Sequence, residues 1–458
     1  MGPEHSRQVM EPLKEFTKPL TQFLSTLKNR LPPELVERTK LLFLDYLGAY
    51  CAGLSTKPYQ VLGPVLKQET LLNFAFRYGM AAHALEMDDA HRYACVHPGS
   101  VVFSAALALS GALASSGEDF ITAVAVGYEA ICRVAYGLNL KEHYGRGFHP
   151  TGTCGPFGAA ATAAKLLRLN PRQWESAFGI AGSMGAGSMQ FLMDGTWTKP
   201  FHSGWAAHNG IQAALLAKNG FKGPSRILEG PYGFWKSHGE AENKSEVLRN
   251  LGKRYELMRT TIKRYPCCGH TQSSISALVE LIQEASLTPE NVKEIEIHLS
   301  GLAMPSVAEP EIVKRNPKTS ADAMWSIYYG AAFTLLKGDL TLEAYESKFL
   351  RSGKVRGLID KIRVTPDPSL DRLFPEKWPS IITVTPITGG KITKRVDHPR
   401  GDPENFPSWN ELAEKFVPLS NRLLSERRKK LVIEEVKNLE RVRDVRMVLK
   451  HFRPSELR

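Results

Sequence analysis

Cysteine is scarce in this chain: six residues in 458, Cys51, Cys95, Cys132, Cys154, Cys267 and Cys268, with no C-x-x-C among them. That excludes a disulfide scaffold, a zinc ribbon and a thioredoxin-type redox pair; reduced thiols in a cytoplasmic protein are the simplest expectation. Long apolar runs are missing too. The longest, residues 101–114, contains Ser104, Ser110 and Gly111 and falls well short of the ~20 residues that span a bilayer, so no membrane segment is expected. The opening MGPEHSRQVMEPLKEF has no apolar core, so a secretory signal is not expected there. It matches M-G-x-x-x-S, the myristoylation pattern, through Gly2 and Ser6, but so short a pattern matches by accident and lipidation is not expected. Generic catalytic signatures are also absent: no G-x-G-x-x-G after a strand, no Walker A, no G-x-S-x-G and no H-E-x-x-H.

What is present is an ordinary folding composition. Apolar residues at 43% and charged residues at 23% exclude wholesale disorder, and the length allows two to three domains. The formal net charge is +12, but residues 422–458 alone carry twelve Lys/Arg against six Asp/Glu, half the excess. That tail has helical periodicity (Leu431, Val432, Glu435, Val436, Leu439, Val442) and no aromatic interleaving. It reads as a docking helix with a solvated basic face, not as a nucleic-acid module. A modest positive field also draws in anionic substrates.

From Pro32 to about Lys253 nearly every segment reads as helix, with further helices expected near 75–85, 100–115, 118–137, 155–168, 171–188 and 203–219. Their alanine- and glycine-rich faces predict close helix packing. Near Arg254 the texture changes. Val292–Leu299 alternates like a half-buried strand, further strands are expected at 361–364, 381–385 and 391–396, and Gly389-Gly390 suits a hairpin turn. Helices near 271–286 and 319–337 lie between them. The expected fold is mainly α: a large all-helical domain (1–253), a smaller inserted α+β lid domain (254–397), and C-terminal helices (398–458) rejoining the helical domain.

Several polar clusters interrupt the apolar helices. The first is Glu86-Met-Asp88-Asp89-Ala-His91 with His97-Pro98-Gly99-Ser100, where carboxylates stand beside histidines as an acid/base centre requires. Taken alone, the same residues read more readily as a helix terminus with solvated carboxylates, and no fixed ligand spacing points to a metal. The others are Gly147-Phe-His149-Pro-Thr-Gly152, Asp194-Gly-Thr-Trp-Thr-Lys199-Pro-Phe-His202 leading to His208, and Lys263-Arg-Tyr-Pro-Cys-Cys268-Gly-His270. Lys199 reads as a loop position between Gly195 and Pro200, where packing does not need a long cation. Gly152-x-x-Gly155-x-x-Gly158 reads as a loop feeding a helix N-terminus, a candidate anion site. Four His- or Lys-bearing loops beside Gly or Pro are the pattern of function carried on a rigid scaffold.

These stretches, H-A-L-E-M-D-D-x-H…H-P-G-S, G-F-H-P-T-G-T-x-G-P-F-G-A-A, T-K-P-F-H-S-G-W-A-A-H-N-G and K-R-Y-P-C-C-G-H, resemble the MmgE/PrpD family in order and over about residues 20–440. That family includes 2-methylcitrate dehydratase, cis-aconitate decarboxylase and iminodisuccinate epimerase. The resemblance implies a homodimer, an active site in the cleft between domains, and neither metal nor organic cofactor. Carried over by position, the decarboxylase branch's active-site residues match His97, His149, Lys199, Lys263 and Tyr329. Its first acidic residue matches Glu86, and Asp88 and Asp89 match the pair that follows. Two positions depart: Ala90 stands where that branch has a threonine, and Cys268, with His270 two residues on, stands near where it has a histidine.

The expected activity is a cofactor-independent lyase, a dehydratase or decarboxylase, acting on a small di- or tricarboxylate. Epimerisation of a dicarboxylate is the alternative. Such reactions develop a carbanion or enolate beside a carboxylate, which cations in a dry cleft stabilise. Lys199 and Lys263 are expected to bind substrate carboxylates, and His97 and His149 to move protons or contact carboxylates. Asp88 is expected to orient a histidine, and Glu86, Asp89, His202, Cys268 and His270 to line the substrate. Tyr329 is either a proton donor or a core aromatic; Cys268 is either an acid/base on the opposite face or a buried thiol. A non-enzymatic helical interaction protein, the competing class, predicts that the polar clusters do not converge.

Overall fold

A computed structural model describes residues 15–452; the Gly2/Ser6 pattern lies outside the described residues. The longer helices are α1 (Thr17–Thr26), α2 (Pro33–Gly53), α3 (Leu71–Ala82), α4 (Pro98–Leu113), α5 (Gly117–Ala135), α6 (Pro150–Leu166), α7 (Pro171–Gly182) and α8 (Thr198–Lys218). After them come α9 (Gln272–Ala285), β1 (Val292–Leu299), α10 (Ile327–Lys337), β2 (Ile362–Pro366), β3 (Ser380–Pro386) and β4 (Ile392–Val396). Helices α11 (Trp409–Ser420) and α12 (Glu426–Lys437) follow. The chain is mainly helical, with one four-stranded sheet among the described residues. No described helix is long and apolar enough to cross a membrane.

Local chemistry sets many of the helix starts. Thr70 accepts the Asn73 amide at 3.2 Å to begin α3, Ser116 accepts the Asp119 amide to begin α5, and Asn170 with Gln173 forms a capping box on α7. Helices α4 and α6 begin differently: each has proline at its first position, directly after a histidine. Proline costs nothing there, because that amide has no helical partner, and it holds the preceding residue out of the α region. His97 and His149 therefore sit at helix mouths with non-helical backbones.

Two hydrophobic cores result. One gathers α1 to α8 and, from the other end of the chain, Leu412 and Phe416 of α11 and Val432 and Val436 of α12. Small residues let these helices approach: a Cβ on Gly79 of α3 would lie 2.8 Å from the Gly204 Cα of α8. Gly152, Gly155 and Gly158 belong to this packing. They lie inside α6, where a Cβ at Gly155 would meet the Ala206 side chain at 2.6 Å, so the expected anion-binding loop is replaced by a helix contact surface. The second core runs from Tyr265 to Val396 and packs α9 and α10 on the sheet. Strand order is β2-β1-β3-β4, with β1–β2 parallel and the other pairs antiparallel. Gly389 and Gly390 turn the β3–β4 hairpin, both at positive φ. The single helix expected over 319–337 is divided at Trp325, because the Ser326 hydroxyl caps a new start at α10.

One strap joins the cores. Ala90 and Thr261 exchange backbone hydrogen bonds of 2.9 and 2.8 Å, and Ile262 donates to the Gly401 carbonyl. Lys415 of α11 donates to the Lys263 carbonyl at 2.7 Å and pairs with Asp45 of α2. These bonds fix the Lys263 backbone beside the Glu86–Ala90 segment.

Candidate active site

Three helix N-termini meet at this strap: His97 precedes α4, His149 precedes α6, and Lys199 and His202 lie in the first turns of α8. Exposed amides and aligned dipoles give such ends a positive character. Lys199 is thus a helical residue, 4% exposed, and not the loop lysine its neighbours suggested. Pro200 is accepted beside it because the first helical amides are unpaired anyway.

Glu86 is the centre of the charges. Its carboxylate accepts from Lys199 through one oxygen and from Lys263 through the other, at 2.8 Å. All three groups are buried, and Lys263 has no exposed surface. Burial raises the Glu86 carboxyl, but the two ammonium groups win and hold it well below the usual range. Burial lowers Lys199, although Glu86 opposes this. In Lys263 the carboxylates of Glu86 and Asp88 overcome burial and push the ammonium above its ordinary value. The Trp325 ring of the second core lies 5.2 Å from the Lys199 ammonium.

Behind this pair is a cluster of imidazoles. Asp88 Oδ2 lies 2.7 Å from His83 Nδ1 and 3.6 Å from His97 Nδ1, while the Asp89 carbonyl lies 2.8 Å from His97 Nδ1. Acceptors at Nδ1 place the proton there on both rings and leave each Nε2 a free base. His149 Nδ1 and His202 Nδ1 share one hydrogen bond at 3.1 Å. Ring centroids are 4.9 Å apart for His83–His97 and 5.3 Å for His149–His202. Burial, first of all, lowers all four histidines; Lys263 and Lys199 depress His97 further, and His202 falls to about 4. The described residues that could hold a metal ion here are His83, Asp88 and His97, whose ligand atoms lie within 4.8 Å of one another.

A cleft of about 520 Å³ opens onto the cluster, with His83, Glu86, Lys199, Trp325 and Tyr345 on its wall. Both cores contribute to that wall. Lys263 is not on it: Glu86 stands between Lys263 and the cleft.

The structure therefore brings Glu86, Asp88, His97, His149, Lys199, His202 and Lys263 together. Asp89, Tyr329 and His270 have other partners, and Cys268 is a buried thiol within reach of the Glu86 charge. Asp89 is turned to α4, accepting from the Gly99 amide at 2.8 Å and from the Tyr128 hydroxyl, and burial pushes its carboxyl up to about 8. Tyr329 is enclosed in the second core and donates to the Ala344 carbonyl; its neighbour Tyr345 faces the cleft. His270 stacks on Trp378 with centroids 4.2 Å apart. Cys268 is buried, its thiol pushed up to about 11 by burial and then by the Glu86 charge. His91 joins a separate buried network through Glu256 at 3.3 Å. His83 was not singled out from the sequence; its one signal is the carboxylate five residues on.

Comparison with known proteins identifies the family. The model of the MmgE/PrpD N-terminal domain matches residues 66–246, and that of the MmgE/PrpD C-terminal domain matches residues 265–441. Cis-aconitate decarboxylase of Homo sapiens is 29% identical over 94% of this chain and 93% of its own length. Cis-aconitate decarboxylase of Aspergillus terreus is 28% identical over 92% of each. Cis-aconitate decarboxylase-like protein oryM of Aspergillus oryzae is 27% identical over 89% of this chain and 92% of its own. With two family models covering both cores and the polar loops meeting where the cores meet, the chain belongs to the MmgE/PrpD family.

Proposed function

We propose that this protein is a lyase that removes carbon dioxide or water from a small di- or tricarboxylate, with cis-aconitate the first candidate, using its own side chains and no cofactor. One observation carries the reading: two buried lysines and four histidines that burial holds toward the neutral form cluster at three helix N-termini, beside a cleft whose wall includes Lys199 and His83. Anions are favoured there by the lysines, by the helix ends and by low local dielectric. The similarity to cis-aconitate decarboxylases supports decarboxylation ahead of dehydration.

In decarboxylation the C–C bond to the departing carboxylate breaks and its electron pair stays on carbon. The adjacent carboxylate spreads that charge, and Lys199 and Lys263 stabilise it. A proton must then reach the carbanion. In the empty site the lysines help keep His97 neutral. A di- or tricarboxylate brings more negative charge to the lysines than Glu86 alone supplies, so His97 gains basicity as the substrate binds. Asp88 keeps the rings of His83 and His97 oriented throughout. We assign His97 and His149 to proton transfer and His83 to the same relay. A homodimer and a cytoplasmic location belong to the same proposal; Phe201 and Trp205, stacked and exposed on α8, supply an apolar face for a second copy.

The test is proton NMR of the purified protein with a panel of di- and tricarboxylates in heavy water. Loss of carbon dioxide or water is the expected result. Solvent exchange with inversion and no loss makes the protein an epimerase; no change in any acid removes the enzymatic reading.

A further inference from the structure

The Glu86 carboxylate lies where a substrate carboxylate has to go. It faces the cleft on one side and, on the other, fills the space between two ammonium groups, one of which, Lys263, has no other opening to that cleft. Its backbone is held at φ 54°, in the left-handed region that a non-glycine residue adopts at a cost, and such strain persists only where the surroundings enforce it. The neighbouring Leu85 packs against the second core, so the position of this turn depends on how the two cores sit.

Counting charge leads the same way. The lysines contribute two positive charges and Glu86 and Asp88 two negative ones, while burial keeps the surrounding histidines neutral. The empty site is balanced. A di- or tricarboxylate entering it would meet no uncompensated cation unless one resident carboxylate leaves the lysines. Asp88 is tied to two histidines, and Glu86 is the carboxylate on the wall of the cleft.

We propose that Glu86 is a built-in carboxylate plug: it occupies the anion seat between Lys199 and Lys263 in the empty enzyme, and substrate binds by exchanging its own carboxylate for that of Glu86. The inference rests on the lyase reading for the identity of the ligand. The exchange serves both states. It keeps two buried ammonium groups paired when no substrate is present, and it exposes Lys263 only to a molecule that brings a replacement carboxylate. It also sets a charge requirement: a monoanion of similar size lacks the second carboxylate needed to displace the plug and still reach the remaining cations.

The probe is tricarballylate, a saturated tricarboxylate with no double bond and no hydroxyl, titrated calorimetrically into the full chain. Glu86→Gln removes the competing charge and keeps the shape. Glu86→Gly removes the whole side chain and relieves the positive φ, and it carries the test if the glutamine protein does not fold. The expected result is tricarballylate binding at least about tenfold tighter to either folded variant than to the wild type, the ratio that follows from about 1.4 kcal/mol of lost competition. Equal or weaker binding to the folded variants overturns the plug and makes Glu86 a fixed partner of the lysines. Turnover of cis-aconitate by the wild type is scored separately. Unchanged binding in an active enzyme refutes the plug alone, and tightened binding in a chain that turns over no carboxylate refutes the lyase reading alone.

Discussion

Replacing Lys199 by methionine separates its chemical from its structural role. Lys199 is buried, with its ammonium between Glu86 and the Trp325 ring, and methionine retains most of the side-chain volume while deleting the charge. Glu86 keeps its 2.8 Å contact with Lys263, so the buried carboxylate is not orphaned. The stability cost therefore falls near that of one charged hydrogen bond, about 1.5–3 kcal/mol, and not the roughly 3–5 kcal/mol of a buried pair broken outright. Had Lys199 been a solvated loop residue, the change would stay within about ±0.5 kcal/mol. For catalysis the lost contact is the one to a substrate carboxylate whose charge grows in the transition state. The same 1.5–3 kcal/mol then lowers kcat/KM by about tenfold to more than a hundredfold. Lys199→Arg keeps the charge but needs a wider, planar slot, so partial activity is expected. The assay is kcat and KM on cis-aconitate with a thermal melt of each variant. A fall in kcat places the contact in the transition state, whereas a rise in KM alone places it in ground-state binding. A folded methionine variant with wild-type kcat/KM removes Lys199 from the site.

Three further outcomes are expected. Activity survives exhaustive dialysis against EDTA, because carboxylate recognition is assigned to lysines; loss with recovery on adding a divalent ion transfers His83, Asp88 and His97 to a metal site. Asp89→Asn becomes progressively more stable relative to wild type as pH rises from about 4 to 8 and gains nothing more above that, followed as the difference in Tm. The sign follows because the folded state holds a proton on Asp89 up to about pH 8 that the unfolded chain releases near its ordinary value of 3.8, so raising the pH disfavours the wild-type fold across that window. A flat difference in Tm refutes the buried neutral acid. Tyr329→Phe removes only a hydroxyl bonded to the Ala344 carbonyl, so kcat is retained at a stability cost of about 0.5–1.5 kcal/mol; a large loss of kcat in a folded variant returns Tyr329 to the chemistry.

Much of this was legible in the sequence, and the exceptions have physical reasons. His97-Pro98 announces a helix start because proline at the first helical position is a local rule; the same rule holds at His149-Pro150, although the sequence pattern places that helix start only near 155. Polar loops between alanine-rich helices located Lys199 and Lys263 without fixing their partners. Whether a carboxylate such as Asp89 faces the cleft or caps its own helix is set by Tyr128, 39 residues away in the chain. His83 escaped because it ends an apolar helix, where a histidine has no local mark of function; the Asp88 contact is made only after the chain turns at Glu86. The glycines of α6 misled because three-residue spacing describes both an anion-binding loop and a tight helix contact, and only the facing Ala206 decides between them.

The placement of the charges between two apolar cores has its own logic. An apolar contact across a cleft is lost to water when the cleft opens, at a cost roughly proportional to the area exposed. An ion pair differs, because each partner finds water or another ion when separated, and so the contact can be exchanged without unfolding either side. Lys263 is anchored from behind by the Ala90–Thr261 bridge and by Lys415, so it stays in place when its carboxylate partner changes. Glu86 has no such anchor: the side-chain bonds it makes are to the two lysines. A rigid pair of cations facing a replaceable anion is the arrangement that carboxylate exchange requires. On the proposed exchange, burial, which lowers the histidines in the empty site, would not disable them: an incoming polyanion would supply the charge that restores their basicity, readying proton transfer only when there is a substrate to receive it.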